Sequence, residues 1–369
     1  MINKIIFIMI TFVMLSCQKP VDIALEKKKI QDKIDLVVQA HYNKDAIQFF
    51  ESNANEWYDV RNGIVQLIDK SEKIPSTQKY LDNMDFHEMI QRNNPVIEIS
   101  DDATLASYLG SITIKGVFNE SPVLWVVAWQ SVLKKNKGEW EIISTTNTEG
   151  DNKVTAEVLL DHVRKKMGVI GENDFSSVYA YAKCRGPERS FETLLLSNKK
   201  NGRMEQLYEE QHIILKHGEN TSWTRNLSTN SGEEKMDNET MVFVNGHELH
   251  WLSFWPEHRY KDPVFKGISK FNDKTAFQIE FKDVFDKPVH FYYSFNTYLP
   301  LGFVLNTNPN GDTVDVTYNV WEKINNVQIF KKAAFKQGND IFEYNFTDIK
   351  VNQIKSKDFE NKTGLLSQY

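Results

Sequence analysis

From Phe175 to about Phe346 the chain repeats one pattern, a short run rich in β-branched and aromatic residues followed by a turn. The runs near 175–183, 190–197, 203–209, 211–216, 220–226, 241–245, 265–270, 274–281, 289–295, 301–306, 312–320, 327–335 and 341–347 are the expected strands. Asn201-Gly202, His217-Gly218, Asn310-Gly311 and Gly338-Asn339 separate several of them. A meander of this length has to close, curl or be covered, because a flat sheet would offer water and other chains two open edges. A curved sheet packed around one or two helices satisfies that demand and leaves an apolar concavity.

At 369 residues the chain is long for one core, and its first part reads differently. Ile30, Ile34, Val37 and Val38 recur at helical spacing, a second helical segment is expected around Asp45–Phe50, and Tyr80–Ile90 is expected to be helical. Asn62-Gly63 marks a turn before the apolar stretch Ile64–Ile68. Strand signals take over at Pro95. Val96–Ser100 meets a turn at Asp101-Asp102, and Ala103–Lys115 then sets Ala106, Tyr108, Gly110, Ile112 and Ile114 on one side. Pro122–Lys134 puts Trp125 and Trp129 on a shared face, and Asn136-Lys137-Gly138 turns the chain into Trp140–Thr146. Helices followed by long antiparallel strands define an α+β unit whose curved sheet folds over the helices. Gly150-Asp151-Asn152 breaks the chain, giving domains at 24–150 and 151–369. Beyond the break Thr155 can cap a helix carrying Leu159, Leu160, Val163 and Met167, which Gly168 and Gly171 end.

The order of elements, with LWVVAWQSVLKKNKGEWEIISTTNT at 124–148, resembles the NTF2-like/SnoaL-like superfamily over nearly the whole first domain. The resemblance implies a conical pocket between sheet and helices, used by some members for isomerase or dehydratase chemistry and by many for binding alone. It sets Asp59, within EWYDVRNG, near the pocket acid of such proteins. The segment NTYLPLGFVLNTNPNGDTVDVTYNVWEKINNVQIFKKAAF at 296–335, with its Tyr298-Leu299-Pro300 step, is similar to the later strands of the LolA/LolB-like family, over about 165–350. That similarity implies an unclosed antiparallel β-barrel with helices that cradles an acyl chain. A polar insertion at Ser228–Glu239 departs from it.

Lys4, the uncharged run Ile5–Leu15 and Ser16 precede Cys17. A charged start, a brief apolar core and a small residue before the cut describe an export signal, whereas a membrane span needs about 20 apolar residues. Residues 1–17 resemble the signal peptide of bacterial lipoproteins. The resemblance implies lipid on Cys17 and a membrane-anchored protein of the cell envelope, facing the periplasm or the exterior. The chain has only two cysteines, so Cys184 is left without a disulfide partner and reads as a small buried hydrophobe.

The net charge of −6 gives no basic face for nucleic acid. His247, His250 and His258 form the densest histidine group. Extended, the first two point to opposite faces; helical, they share one. Neither arrangement makes a His-Glu-x-x-His zinc motif, so the three read as surface or boundary histidines, and no metal or cofactor is assigned. Asp59 would need burial and a partner such as His41 or His87 to act as a base. Acid, base and oxyanion donor cannot be assigned together, so no catalytic residue is named. The candidate ligand contacts are Trp57, Asp59, Trp125 and Trp129 in the first domain and Phe291, Tyr293 and Phe295 in the second. Trp223, Phe243, Trp251, Phe254 and Trp255 add apolar surface, and a packed core would use the same residues. The expectation is an anchored lipoprotein that binds a lipid, acyl chain or other hydrophobic molecule without catalysis. A non-catalytic envelope adaptor with a protein partner is the alternative, and an NTF2-like isomerase or hydrolase stands third.

Overall fold

The computed structural model describes residues 21–148, 154–219, 221–229, 231–306 and 313–366. Cys17 with its leader and the breaks at Gly150-Asp151-Asn152 and Asn310-Gly311 lie outside them. The chain divides into two compact units between Val154 and Thr155.

In the first unit, α1 (Ile23–Asn43) starts where the Asp22 carboxylate accepts the Leu25 N–H and stops at Lys44, which takes a left-handed conformation at φ 54. Its buried stripe, Ile30, Ile34 and Ala40, faces the sheet, and α2 (Ala46–Phe49) follows behind an Asp45 cap. Strands β1 (Asn53–Arg61) and β2 (Ile64–Asp69) form a hairpin across Asn62-Gly63, after which comes α3 (Lys70–Asp82). The helix expected over Tyr80–Ile90 is not formed. The chain leaves α3 at Asn83 and enters β3 (Met84–Gln91), which pairs with a distant strand from Met84↔Phe118 to Gln91↔Ile112. That long-range ladder overrides a local spacing that suits either element.

Strands β4 (Val96–Ile99), β5 (Leu105–Phe118), β6 (Ser121–Asn136) and β7 (Glu139–Thr148) complete a sheet of order β2-β1-β7-β6-β5-β3, with β4 also on β5. The β1–β7 contact is parallel. Ile30 and Ile34 meet Ala106, Tyr108, Leu133, Trp140 and Ile142 in the core. The Glu26 carboxylate is buried there too, accepting from the Trp140 indole N–H and the Lys135 ammonium, each at 2.7 Å. Burial raises its pKa, but the bonds from Lys135, Lys29 and Trp140 outweigh burial and hold it at about 2.

The second unit opens with α4 (Ala156–Lys166), capped by Thr155 and bearing the buried Leu159, Leu160 and Val163. Then come β8 (Ser177–Arg185), β9 (Ser190–Asn198), β10 (Asn201–Tyr208), β11 (Gln211–Gly218), β12 (Trp223–Asn226) and β13 (Glu234–Lys235). After helices α5 (Asn238–His247) and α6 (Leu249–Phe254) the meander resumes with β14 (Lys261–Phe271), β15 (Lys274–Lys282) and β16 (Pro288–Ser294). It ends with β17 (Pro300–Asn306), β18 (Thr313–Ile324), β19 (Val327–Gln337) and β20 (Asp340–Val351). All neighbours are antiparallel, β20 lies beside β8, and the ends of the sheet are β13 and β14, so the sheet is unclosed and the chain is α+β.

Most of the expected strands form. The exception is 241–245, which belongs to α5. Met241–Val244 has the β-branched and aromatic content of a strand, yet Asp237 caps the segment at the Thr240 N–H. Val242 and Val244 are then buried as parts of a helix, and a short apolar run cannot announce which of the two it will be. His247 at the end of α5 and His250 in α6 are both buried, against the expectation of surface or boundary histidines.

Candidate functional site

Helix α5 stands over the concave face of the second sheet and leaves a cavity of about 750 Å³ beneath it. Its floor comes from strands whose alternate residues face inward. Phe335 on β19 opposes Phe342 on β20, and Tyr344 opposes Ala333, so rings and small side chains interleave across the sheet. Phe191, Gln206, Tyr208, Leu305 and Val314 extend the floor, while Val242, Phe243, Gly246 and His247 form the helical roof. The roof is set at contact distance. A Cβ on Gly246 would come within 3.0 Å of the Leu305 side chain, so the absence of one lets α5 lie this close to β17.

Phe243 and Phe285 border the cavity and are 47% and 45% exposed, so its mouth is open to water and rimmed with aromatic surface. Arg189, Glu239, Asp283 and Lys287 supply charge at the lining. Asp283 is occupied within its own turn, its carboxylate accepting from the amides of Phe285 and Lys287 at 2.8 and 2.9 Å. The Arg189 guanidinium stacks over Tyr208 at 4.4 Å. His247 is buried in the wall, with Asp283 and Tyr344. Its ring lies flat on Phe335 at 4.7 Å and 15°, and its Nδ1 is 2.8 Å from the Phe243 carbonyl oxygen. Burial pushes its pKa down to about 4, so the ring is neutral at neutral pH.

Two buried ion clusters hold the frame of this site. Glu248, at the junction of α5 and α6, accepts from Nε and Nη2 along one edge of the Arg259 guanidinium at 2.7 and 2.8 Å and also bonds the His217 Nε2. Arg259 in turn donates to the carbonyl oxygens of Asn198, Lys199 and Asn201, tying the β9–β10 turn to the helices. Burial acts to raise the Glu248 carboxyl, but the charges of Arg259 and His217 bring it down to about 2. On the opposite face of β10, Glu205 accepts from Arg203, His212 and the amides of Leu365 and Leu366, and clasps the C-terminal segment to the sheet. Phe359 and Leu366 pack there against Leu194 and Leu196.

The aromatic trio expected to contact ligand stands elsewhere. Phe291 and Tyr293 share the inward face of β16 and Phe295 follows in the turn just beyond it, but all three are buried among other rings. Phe291 meets Phe303 at 5.0 Å and Phe281 at 5.3 Å, and Phe295 meets Phe277 at 5.2 Å. None of the three lines the cavity. Of the aromatic residues named from the sequence in this half, Phe243 does. The wall residues Phe335, Phe342 and Tyr344 belong to the strands expected at 327–335 and 341–347. Their alternation marks an inward face, but nothing local distinguishes a ring over a void from a ring in a packed core.

In the first unit Trp57 is buried against Phe50 at 5.1 Å, and Trp129 stacks on Tyr108 at 5.8 Å. Trp125 and Trp129 both pack on the cluster of Met84, Ile112 and Ile114. Asp59 is buried on β1. Its Oδ2 accepts from Arg61 Nε at 2.9 Å, and its Oδ1 has no hydrogen-bond partner among the described residues. His41 packs between Phe49 and Phe86 and bonds the Val37 carbonyl, and His87 is exposed on β3. A concavity of about 400 Å³ in this unit is lined by charged and polar groups, Lys33, Glu51, Lys70, Glu139 and Glu141 among them.

Cys184 is buried on β8, and burial pushes its thiol up to about 12, which leaves it protonated and unreactive. Among the described residues no group of three or more His, Cys, Asp or Glu side chains is placed to hold a metal ion, and no helix is long and apolar enough to cross a membrane.

No family model matches the chain, and no curated protein matches it. Solved structures similar to it include a LolA-superfamily protein from Nitrosomonas europaea, 14% identical, over 56% of this chain and 98% of that one, with a TM-score of 0.43. An NTF2-like protein from Cytophaga hutchinsonii is 17% identical over 33% of this chain and 96% of that one, with a TM-score of 0.28. The two families suggested by the sequence thus both recur among the structural neighbours.

Proposed function

We propose that this protein binds a hydrophobic small molecule or acyl chain in the cavity of its second unit, and that it does so without catalysis. The observation that carries the reading is the open cavity of about 750 Å³ between α5 and the sheet, a size common to ligand sites, with a mainly aromatic and aliphatic wall. Release of water from such a wall drives binding at roughly 25 cal/mol per Å² buried, with no reactive group required. Lipid on Cys17 would hold the cavity at a membrane surface, where greasy molecules are found. Because one acyl chain binds membranes only marginally, the diacyl or triacyl form is the one that anchors.

The test is displacement of a fluorescent hydrophobic reporter from the full chain, together with mass analysis of small molecules retained after native extraction. Leu305→Trp, which puts a bulky ring into the cavity floor, should abolish reporter binding while the far-ultraviolet circular dichroism stays native. Undiminished binding in that variant would remove the cavity from consideration. Cys17→Ser should move the protein from the membrane to the soluble fraction.

An adaptor role is favoured by a different observation. On the edge hairpin of the first unit, Tyr58, Val65 and Leu67 share one face and are 53%, 65% and 56% exposed. Apolar residues gathered on an edge strand suit a protein partner.

A further inference from the structure

The inference rests on the binding reading above and concerns the chemistry of the guest's inner end. Arg189 and Glu239 of the lining are exposed, Asp283 is occupied, and Lys287 is half-buried at its edge. Arg189 is exposed and stacks on Tyr208, and Asp283 is committed to its own turn. His247 differs. It is 8% exposed, fixed on α5 and held flat against Phe335. A carbonyl oxygen can only accept, so the contact with Phe243 places the ring proton on Nδ1. Nε2 then carries a lone pair, no hydrogen bond to it is found among the described residues, and the ring that bears it is part of the cavity wall. Left dry, that acceptor costs free energy, and facing the oxygen of a carboxylate or phosphate it would set lone pair against lone pair. A hydroxyl satisfies it.

We infer that the cavity takes an uncharged hydrocarbon ligand with a hydroxyl at its inner end, bound head-inward so that the O–H donates to His247 Nε2. A long-chain or polycyclic alcohol is the class. Tyr344 supports the same polarity. Its ring lies 6.4 Å from that of His247 on the cavity wall, and its own hydroxyl can donate to the oxygen of the guest.

The test uses the full chain and three probes of one chain length, decane, decan-1-ol and decanoate, each displacing a fluorescent hydrophobic reporter at neutral pH. His247→Phe keeps the stacking on Phe335 and deletes the acceptor. It should weaken decan-1-ol about two- to tenfold, the loss of one neutral hydrogen bond, and leave decane unchanged. An equal effect of His247→Phe on decane and decan-1-ol, or decanoate binding more tightly than decan-1-ol to the unsubstituted protein, overturns the inference. Failure of all three probes to displace the reporter overturns the hydrophobic-cavity reading with it. A second readout needs no variant. In protein labelled with nitrogen-15 histidine, the His247 Nε2 resonance should move upfield with decan-1-ol and stay in place with decane, and an unmoved resonance with both overturns the inference.

Discussion

The two units pair a curved sheet with helices, yet their interiors differ. In the first, α1 drives Ile30 and Ile34 down onto Tyr108, Leu133 and Trp140, and Glu26 fills the remaining polar demand of the core. In the second, α5 rides over the sheet on Gly246, and the rings of Phe335, Phe342 and Tyr344 cover a floor with open volume above it. Away from α5 that sheet is as solid as the first, with Phe291, Phe303 and Phe281 in mutual contact. A hollow therefore depends on how a helix is seated, and aromatic content does not separate the two cases.

The largest effect that would break this comparison is at Glu248. Glu248→Ala leaves Arg259 and His217 buried without their counter-charge and frees the β9–β10 turn from the helices. A loss of about 3–5 kcal/mol is expected in the denaturant-induced unfolding of the second unit, with the first unit's transition in place. A loss below about 1 kcal/mol would show that the helices are seated by packing alone.

Acid should separate the units next. In the folded chain His247 titrates at about 4 and His250 at about 3, both lowered chiefly by burial, against 6.5 for the free ring. Between those values the unfolded chain binds protons that the folded chain refuses. The contribution of each histidine is complete above pH 6.5 and falls away as pH drops toward 4 and 3, by on the order of a few kcal/mol together. Glu26 in the first unit, held at about 2, keeps its contribution until pH falls below its ordinary 4.5. Unfolding midpoints measured from pH 7 to pH 4 should decline more steeply for the second unit, where His247 and His250 both resist protonation, than for the first, where burial lowers His41 in the same way, and His247→Phe should lessen the steeper decline.

A smaller effect tests solid against hollow within one sheet. Phe291→Ala removes a ring packed on all sides and should cost about 3–5 kcal/mol. Phe342→Ala trims a half-buried ring on the cavity wall and should cost about 2 kcal/mol less, while reducing reporter binding. Equal costs would mean that the cavity collapses around its wall. Least of all, Tyr58→Ser on the exposed face of the edge hairpin should change stability by under about 0.5 kcal/mol, read from the first unit's unfolding midpoint.

Much of the architecture was legible from turn chemistry and period. Asn62-Gly63, Asn136-Lys137-Gly138 and Asn201-Gly202 all lie at turns or hairpin ends, and Thr155 caps the helix it was expected to cap. The two misreadings, Tyr80–Ile90 as a helix and 241–245 as a strand, share a cause. Each is a short apolar stretch that fits both periods, and its state was settled by partners far away in sequence, β5 for one and the concave sheet for the other. The candidate site was less legible. The inward alternation of β16 is real, but the trio read there as ligand contacts packs into core, and the cavity opens under α5 instead.

The sequence by itself determined that a long antiparallel meander follows a smaller helix-and-strand unit, because turns and hydrophobic period act over neighbouring residues. Only the tertiary structure decided which inward rings meet one another and which face open space, and that His247 stands in the cavity wall with its Nδ1 on the Phe243 carbonyl. Those depend on the distance between a helix and a sheet, set by contacts such as Gly246 on Leu305 and Arg259 on the Asn198 carbonyl that join residues far apart along the chain.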